Sequence, residues 1–273
     1  MADIDLPRSW LFAPGHDEKL LRKVFDVGAD AVMLDLEDAV PAALKDRARE
    51  MVSAAALARP CWVRVNRART QECDRDLAAI GGMVSGLRIP KVESAAEVAW
   101  VAERAPGVAL DCTIESARGV LNAFEIASAP ACSLLSYGGL DLAADLGSFP
   151  GEQETLYARS HLVIAARSAG KPRPSDGIHP QLDDDDGLRR EAEAAKRIGF
   201  FGKSAIHPRQ VPIIHEVFTP TQAELEWAQQ VLWAFEQSGG AATKTASGEF
   251  VDVPIAERAK QLLRAGKKAA GRG

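Results

Sequence analysis

Short apolar runs recur along the first half of the chain roughly every 25 residues, and each carries charge at or near its end. AVMLDLED ends on Glu37 and Asp38, CWVRVN carries Arg64, GLRIPK ends on Lys91, VALDCTIE on Glu115 and SLLSYGGLD on Asp141. A helix-like stretch follows each run. Repeated strand–helix units predict a parallel sheet in which every strand feeds a crossover helix. Eight strands can be placed, at 9–14, 30–36, 61–66, 86–91, 108–115, 132–138, 173–179 and 203–208. They are short, rich in Val, Ile and Leu and bounded by Gly, Pro or charge, as suits strands buried on both faces. The pattern predicts an α/β chain folded as a (β/α)8 TIM barrel. In such barrels all strand ends meet at one mouth, where the chemistry sits. Residues more than a hundred positions apart would converge there.

Helix starts support this plan. Pro41 opens PAALKDRAREMVSAAAL at a favoured first-turn position. Ser94 with Glu97, and Thr221 with Glu224, have the spacing of capping boxes. The barrel is complete by about Phe218, so the predicted organisation is a barrel over 1–218 and a helical extension over 219–273. The extension reads as a helix over 222–237, a flexible small-residue loop (SGGAATKTASGE) and a last helix from Pro254. It would either cap its own barrel or reach over a neighbouring subunit.

Composition narrows the class without changing the fold. The 273 residues are close to the roughly 250 of one such barrel. With 33 Lys and Arg against 38 Asp and Glu, the formal net charge is −5, which gives no support for a nucleic-acid partner. The basic tail from Lys260 to Arg272 reads as a solvated terminus. Cys61, Cys73, Cys112 and Cys132 form no C-x-x-C pair and read as reduced core residues of a cytoplasmic protein. No run reaches the roughly 18 apolar residues of a membrane span, and MADIDLPRSW lacks the layout of a signal peptide.

Glu115 and Asp141 end adjacent predicted strands. Two carboxylates at one mouth suit Mg²⁺, which takes oxygen ligands and keeps positions open for water and substrate; helix capping or salt bridging is the other reading. Glu37 and Asp38 could support a metal through water or cap the helix opened by Pro41. Arg64, inside the apolar VRV, needs an anionic partner: Asp35 or Glu37, or a substrate oxygen. Lys91 is a weaker version of the same case, and His207 a candidate base that packing would also explain. DDDD (183–186) reads as an acidic helix start rather than a metal cluster. Serine-hydrolase elbow, P-loop, zincin and dinucleotide fingerprints are all missing from the sequence.

Taken in order, RSWLFAPG (8–15), GADAVMLDLEDAVP (28–41), VRVN (63–66), IPKVESAAEV (89–98), IESARGV (114–120), YGGLDLAADLG (137–147), GLRREAEAAKRIGFFGKSAIHPRQV (187–211) and VDVP (251–254) resemble the citrate lyase β-subunit-like, or HpcH/HpaI aldolase, family with its malyl-CoA and citramalyl-CoA lyases. The resemblance spans nearly the whole chain. It implies a TIM barrel, often a homotrimer, that makes or breaks a carbon–carbon bond beside a CoA thioester. It implies Mg²⁺ on Glu115 and Asp141, catalytic roles for Arg64, Glu37 and Asp38, and a general acid/base at Asp252 that relatives donate from a neighbouring subunit. A CoA tail would lie near PGHDEK, with Lys19 and Arg64 binding the thioester substrate. The implied partners are thus an acyl-CoA and a keto acid.

Two departures bear on the substrate: Leu140 stands where relatives usually carry a polar residue, and His179 and Pro180 interrupt block 175–188. Three rivals remain. The same site could hydrolyse the acyl-CoA as a thioesterase; a CoA-independent pyruvate-type aldolase could use His16 or His207; or the chain could be a subunit active only within an acyl-carrier complex, or a scaffold that has lost activity.

Overall fold

In the computed structural model, which describes residues 6–271, the helix and strand pattern is that of a parallel β/α barrel. The leader reading of residues 1–5 and Arg272 of the basic tail lie outside the described residues. Two compact units divide the chain, one up to His215 and one from Glu216 onward.

The first unit runs β1 (Ser9–Pro14), α1 (Glu18–Lys23), β2 (Ala31–Asp35), α2 (Lys45–Ala58), β3 (Trp62–Arg64), α3 (Gln71–Ile80), β4 (Gly86–Ile89), α4 (Ala95–Arg104), β5 (Ala109–Ile114), α5 (Ala117–Leu121), α6 (Ala123–Ser128), β6 (Cys132–Tyr137), α7 (Gly139–Leu146), α8 (Glu152–Ser168), α9 (Asp185–Ile198) and β7 (Lys203–Ala205), with α10 (Gln210–Phe218) after it. Seven strands pair in parallel in the order β6-β5-β4-β3-β2-β1-β7. The predicted strand at 173–179 shrinks to two bridges, Ser136 with Ser175 and Asp176 with Lys203. Those bridges join β6 to β7 and close the ring as the eighth member of a TIM barrel. Strand pairing of the run SDGIHP is limited to these bridges: the Cβ of any residue larger than Gly177 would meet the Tyr137 carbonyl at 2.9 Å, and His179 and Pro180 follow at once.

Inward-facing side chains stack in layers, as barrel cores do. At the base Trp10, Met33 and Leu134 pack with Phe201. Trp62 meets Trp10 edge-to-face with ring centroids 5.0 Å apart. The Trp62 ring lies where a Cβ of residue 86 would stand, 2.2 Å away, so glycine is required there. Above this sits a polar layer. Arg88 donates to Asp111 Oδ2 at 2.8 Å and to Ser204 Oγ at 3.1 Å. Strands β4 and β7 are not neighbours in the sheet, so the Arg88–Ser204 bond crosses the barrel interior. The guanidinium also faces Trp10 and Phe12, 5.0 and 5.4 Å from their ring centroids.

The helix starts follow from local chemistry. Ser94 and Glu97 form the expected capping box on α4, and Asp184 caps α9 from within the DDDD run. Pro41 precedes a 3₁₀ turn over Ala42–Leu44, so α2 proper begins only at Lys45. All four cysteines are free and buried.

In the second unit, α11 (Gln222–Gln237) starts with the Thr221–Glu224 capping box and packs on α12 (Val253–Ala270). Ala228, Val231, Val251 and Ala259 form its core. The segment expected as a flexible loop contains a short antiparallel pair, β8 (Thr243–Lys244) with β9 (Phe250–Val251). The Thr245 hydroxyl accepts from the Glu249 N–H and thereby closes that turn. Among the described residues no helix is long and apolar enough to cross a membrane.

Candidate active site

The mouth is built by residues just past the strand ends. Arg64 is the last residue of β3; Glu37, Lys91 and Glu115 follow β2, β4 and β5; Asp141 lies in the first turn of α7. Six charged residues from five strand ends are thereby brought together: Glu37, Asp38, Arg64, Lys91, Glu115 and Asp141.

Arg64 is held as a fork. Its Nε and Nη2 donate to Asp35 Oδ1 and Oδ2 at 2.8 and 2.6 Å, and Nη1 lies 2.9 Å from Glu37 Oε2. Both sequence candidates for its anionic partner are therefore engaged. The guanidinium stands 5.1 Å above the Phe12 ring centroid, and its neighbouring carboxylates raise its pKa further. Glu37 Oε2 has this ion contact but no aligned hydrogen-bond donor, so a buried acceptor is left over at the mouth. Asp35 also accepts from the Glu37 N–H at 2.9 Å, which tightens the LED turn.

That turn is braced from behind by residues the sequence reading did not single out. Lys45 Nζ donates to the carbonyls of Leu36 and Glu37 at 2.5 and 2.7 Å and to Asn66 Oδ1 at 2.8 Å. Asn66 donates in turn to Leu36 O and to buried Asp76, which pairs with Arg49. Asn66 belongs to the VRVN block and was legible as part of it. Lys45 and Asp76 look like ordinary polar helix positions.

Lys91 faces the carboxylates. Its Nζ lies 2.8 Å from Glu37 Oε1, 2.9 Å from Asp38 Oδ2 and 3.8 Å from Asp141 Oδ1. Glu37 and Glu115 are buried, while Asp38 and Asp141 open to solvent. Glu115 accepts the Lys91 backbone N–H at 2.7 Å. Burial, joined by the negative charges of Glu37 and Asp141, pushes the Glu115 carboxyl up to about 8.

This donor set fits Mg²⁺. Glu115 and Asp141 are hard oxygen donors, near enough that the Asp141 charge adds to the cost of ionising Glu115, and a divalent cation between them would remove that cost. Among the described residues no group of three or more His, Cys, Asp or Glu forms a closed metal cage. A site with two carboxylates and open positions is what Mg²⁺ prefers, since it retains waters. The spare Glu37 Oε2 is an acceptor of the kind a metal-bound water donates to.

Gly138 keeps Glu115 in place: a Cβ there would lie 2.2 Å from Glu115 Oε2 and 2.6 Å from its Cβ. The Gly138 backbone, at φ −114°, is open to any residue. Gly138→Ala should therefore weaken Mg²⁺ binding at least about tenfold, by calorimetric titration, and lower the melting temperature, because a new Cβ 2.6 Å from the Glu115 Cβ is relieved only by moving Glu115 as a whole.

The other sequence candidates belong to other elements. Lys19 is exposed on α1, in an open groove lined by His16, Asp17, Glu18, Arg22 and Lys23. His207 turns its Nδ1 to the Arg209 N–H at 3.2 Å, the packing role that its strand-end position also allowed. Asp252 belongs to the second unit and caps α12, its Oδ1 accepting from the Ile255 N–H at 3.1 Å.

Comparisons with known proteins identify the family. Residues 8–208 match the family model described as HpcH/HpaI aldolase/citrate lyase, and residues 156–264 match that of the C–C bond lyases of the TIM-barrel fold. A citrate lyase subunit beta-like protein of Deinococcus radiodurans is 36% identical, with 94% of this chain and 96% of the relative covered. A (3S)-malyl-CoA thioesterase of Cereibacter sphaeroides is 37% identical over 94% of this chain and 93% of its own length. The crystal structure of protein CitE from Mycobacterium tuberculosis with magnesium, acetoacetate and coenzyme A superposes with a TM-score of 0.84 at 32% identity, covering 96% of this chain and 99% of that one. With a family match over most of its length and full-length relatives above 30% identity, the chain belongs to the HpcH/HpaI aldolase/citrate lyase family.

Proposed function

We propose that this protein is a Mg²⁺-dependent carbon–carbon lyase acting on a β-hydroxyacyl-CoA thioester of the citryl, malyl or citramalyl type, cleaving it to a shorter acyl-CoA and a keto acid or running the reverse. The observation that carries the reading is the meeting of Glu115 and Asp141 with the Arg64 fork at one barrel mouth, in a chain that aligns end to end with a relative crystallised with magnesium, acetoacetate and coenzyme A.

Glu115 and Asp141 would hold the metal. When bound, Mg²⁺ supplies Lewis-acid polarisation of the oxygen that becomes the keto carbonyl. In the cleavage direction the substrate hydroxyl gives its proton to water, the carbon–carbon bond breaks, and its electron pair passes into a thioester enolate. Arg64 stabilises the enolate oxygen, and its fork on Asp35 holds the guanidinium in place before charge develops. Glu37 orients that arginine and Lys91, Asp38 orients Lys91, and both would accept from water where Glu115 and Asp141 hold the metal. Asp252 delivers the proton to the enolate carbon and regains one from water. The groove at Lys19, with Arg22 and Lys23, suits the CoA phosphates.

We assign the protein to a homo-oligomer, a trimer, in which the segment 219–273 reaches a neighbouring subunit. Four buried free cysteines fit the reducing cytoplasm. Light scattering on the purified chain tests the oligomer.

A second reading is supported by the thioesterase relative: the same site would hydrolyse malyl-CoA to free CoA and a hydroxy acid. Product analysis by mass spectrometry separates the two. Incubation with Mg²⁺ and citryl-, malyl-, citramalyl- and 3-hydroxy-3-methylglutaryl-CoA should yield acetyl-CoA and a keto acid from one of them, abolished by EDTA. Free CoA without acetyl-CoA would establish the thioesterase. No turnover of any thioester would sink both readings for the isolated chain and favour a subunit that works only in a complex.

A further inference from the structure

Among the described residues two positions other than glycine have positive φ, Arg69 at 64° and Lys91 at 53°. A lysine is seldom found in this region, and an exception in a functional loop calls for a reason. At Lys91 the reason is visible. The chain leaves β4 through Pro90, and Val92 N–H returns to the Thr113 carbonyl of β5 at 3.1 Å. The left-handed turn between them aims the Lys91 N–H away from the ladder and at Glu115 Oε1, 2.7 Å away. The side chain meanwhile reaches over the same mouth to Glu37, Asp38 and Asp141. One residue therefore touches four carboxylates, two of them the proposed metal ligands.

The three contacts of the ammonium are not equivalent. Those to Glu37 and Asp38 have hydrogen-bond length, at 2.8 and 2.9 Å. The contact to Asp141, at 3.8 Å, is only an ion contact, and Asp141 is half exposed. It is the one that can be given up at least cost. Charge also argues for a resident cation: Asp35, Glu37, Asp38, Glu115 and Asp141 outnumber the nearby cations Arg64, Lys91 and Lys45, and Arg64 is already committed to Asp35 and Glu37 and Lys45 to the carbonyls of Leu36 and Glu37 and to Asn66.

We propose that Lys91 is the site's built-in counter-cation: its ammonium balances the carboxylate cluster when no metal is present, yields Asp141 when a divalent cation arrives, and so sets how tightly that cation is held. This rests on Glu115 and Asp141 being the metal ligands. Lys91 is a positioning residue here. Its backbone orients one ligand, and its charge competes for the other. The competition keeps the metal from binding so tightly that exchange is slow, and it keeps the mouth assembled between metal-binding events.

The test is calorimetric titration of the purified full-length chain with MgCl₂, beside thermal melts in EDTA. Lys91→Met removes the charge and keeps the bulk of the stem. Lys91→Gly removes the charge and suits the positive φ, so it carries the test if the Met variant fails to fold. Lys91→Arg keeps the charge. For both neutral variants the expected result is Mg²⁺ binding about three- to tenfold tighter than wild type, since a cation a few ångströms from the site has been removed, with a lower melting temperature in EDTA. Arg should stay near wild type. A residue serving only as a structural brace would give the opposite sign, because its loss would loosen the ligands. Unchanged or weaker Mg²⁺ binding in both neutral variants, with wild type binding normally, overturns the proposal. Failure of wild type itself to bind Mg²⁺ overturns the metal reading beneath it.

Discussion

Glu115→Gln should abolish Mg²⁺ binding and turnover while leaving the fold near pH 7 almost untouched. The amide keeps the size of the carboxyl, and its oxygen can still accept the Lys91 N–H now 2.7 Å from Oε1. It loses the charge that holds a divalent cation. Disturbing a group that merely supports a metal ligand costs about 10–100-fold in affinity, so loss of the ligand itself should exceed about 100-fold.

The metal-free protein offers an independent check. Burial and the charges of Glu37 and Asp141 raise the folded-state pKa of Glu115 to about 8 from an ordinary 4.5. A carboxyl with a raised folded-state pKa contributes stability that is complete below the unfolded value and is lost as pH rises through the folded one. In EDTA the wild-type melting temperature should therefore decline between about pH 5 and 9, and the Gln variant should lack that part of the slope. Wild-type Mg²⁺ affinity in the variant would remove Glu115 from the ligand set. Equal slopes would show that its carboxyl is not strained by its neighbours.

Arg88→Met should produce the largest loss of stability, with no direct effect on the mouth. Arg88 and Asp111 are almost fully buried, and the pair is joined by Nε and Nη2 contacts of 2.8 Å to one carboxylate oxygen. Removing the arginine leaves Asp111 charged and unpartnered inside the barrel, a change that costs about 3–5 kcal/mol. The double variant Arg88→Met with Asp111→Leu removes both charges and should recover much of the loss. Chemical denaturation of wild type, the single variant and the double variant measures this directly. A double variant no more stable than the single one would mean that the polar layer is needed for packing, through the Trp10 and Phe12 faces, rather than for charge balance.

Glu115 and Arg88 show where the sequence could be read and where it could not. The apolar runs placed β1 at 9–14 to the residue, and the predicted β4 and β6 begin where the strands do, at Gly86 and Cys132. Predicted ends overran by one to three residues in most later strands, because the apolar pattern continues into the loop that delivers the functional residue: β4 stops at Ile89, while Lys91 needs a turn to reach the mouth. The strand at 173–179 was the poorest prediction. Its polar residues Ser175 and Asp176 face buried partners, Arg88 Nη2 and Lys203 Nζ, that lie far away in sequence. The site itself was legible because each member except Arg64, which sits inside VRV, ends an apolar run. The interior pair was not. Arg88 in GLRI and Asp111 in ALDC sit in the middle of such runs, and only closure of the barrel brings Ser204 across to Arg88. Lys45 escaped for a similar reason: its role depends on the LED turn folding back over the start of α2.

The placing of β1 between β2 and β7 has a consequence for how the chain is made. Pairing of Ser9–Leu11 with Lys203–Ala205 means that one flank of the first strand has no partner until nearly two hundred further residues exist. At a translation rate of about 5–20 residues per second, that flank stays bare on the ribosome for roughly ten to forty seconds. A naked apolar strand is a template for any passing segment of extended chain. SWLFAP is bracketed by a cation at Arg8 and a non-donating Pro14. These are the residue types that discourage a foreign strand from docking, and they guard the nascent edge until its own late partner emerges.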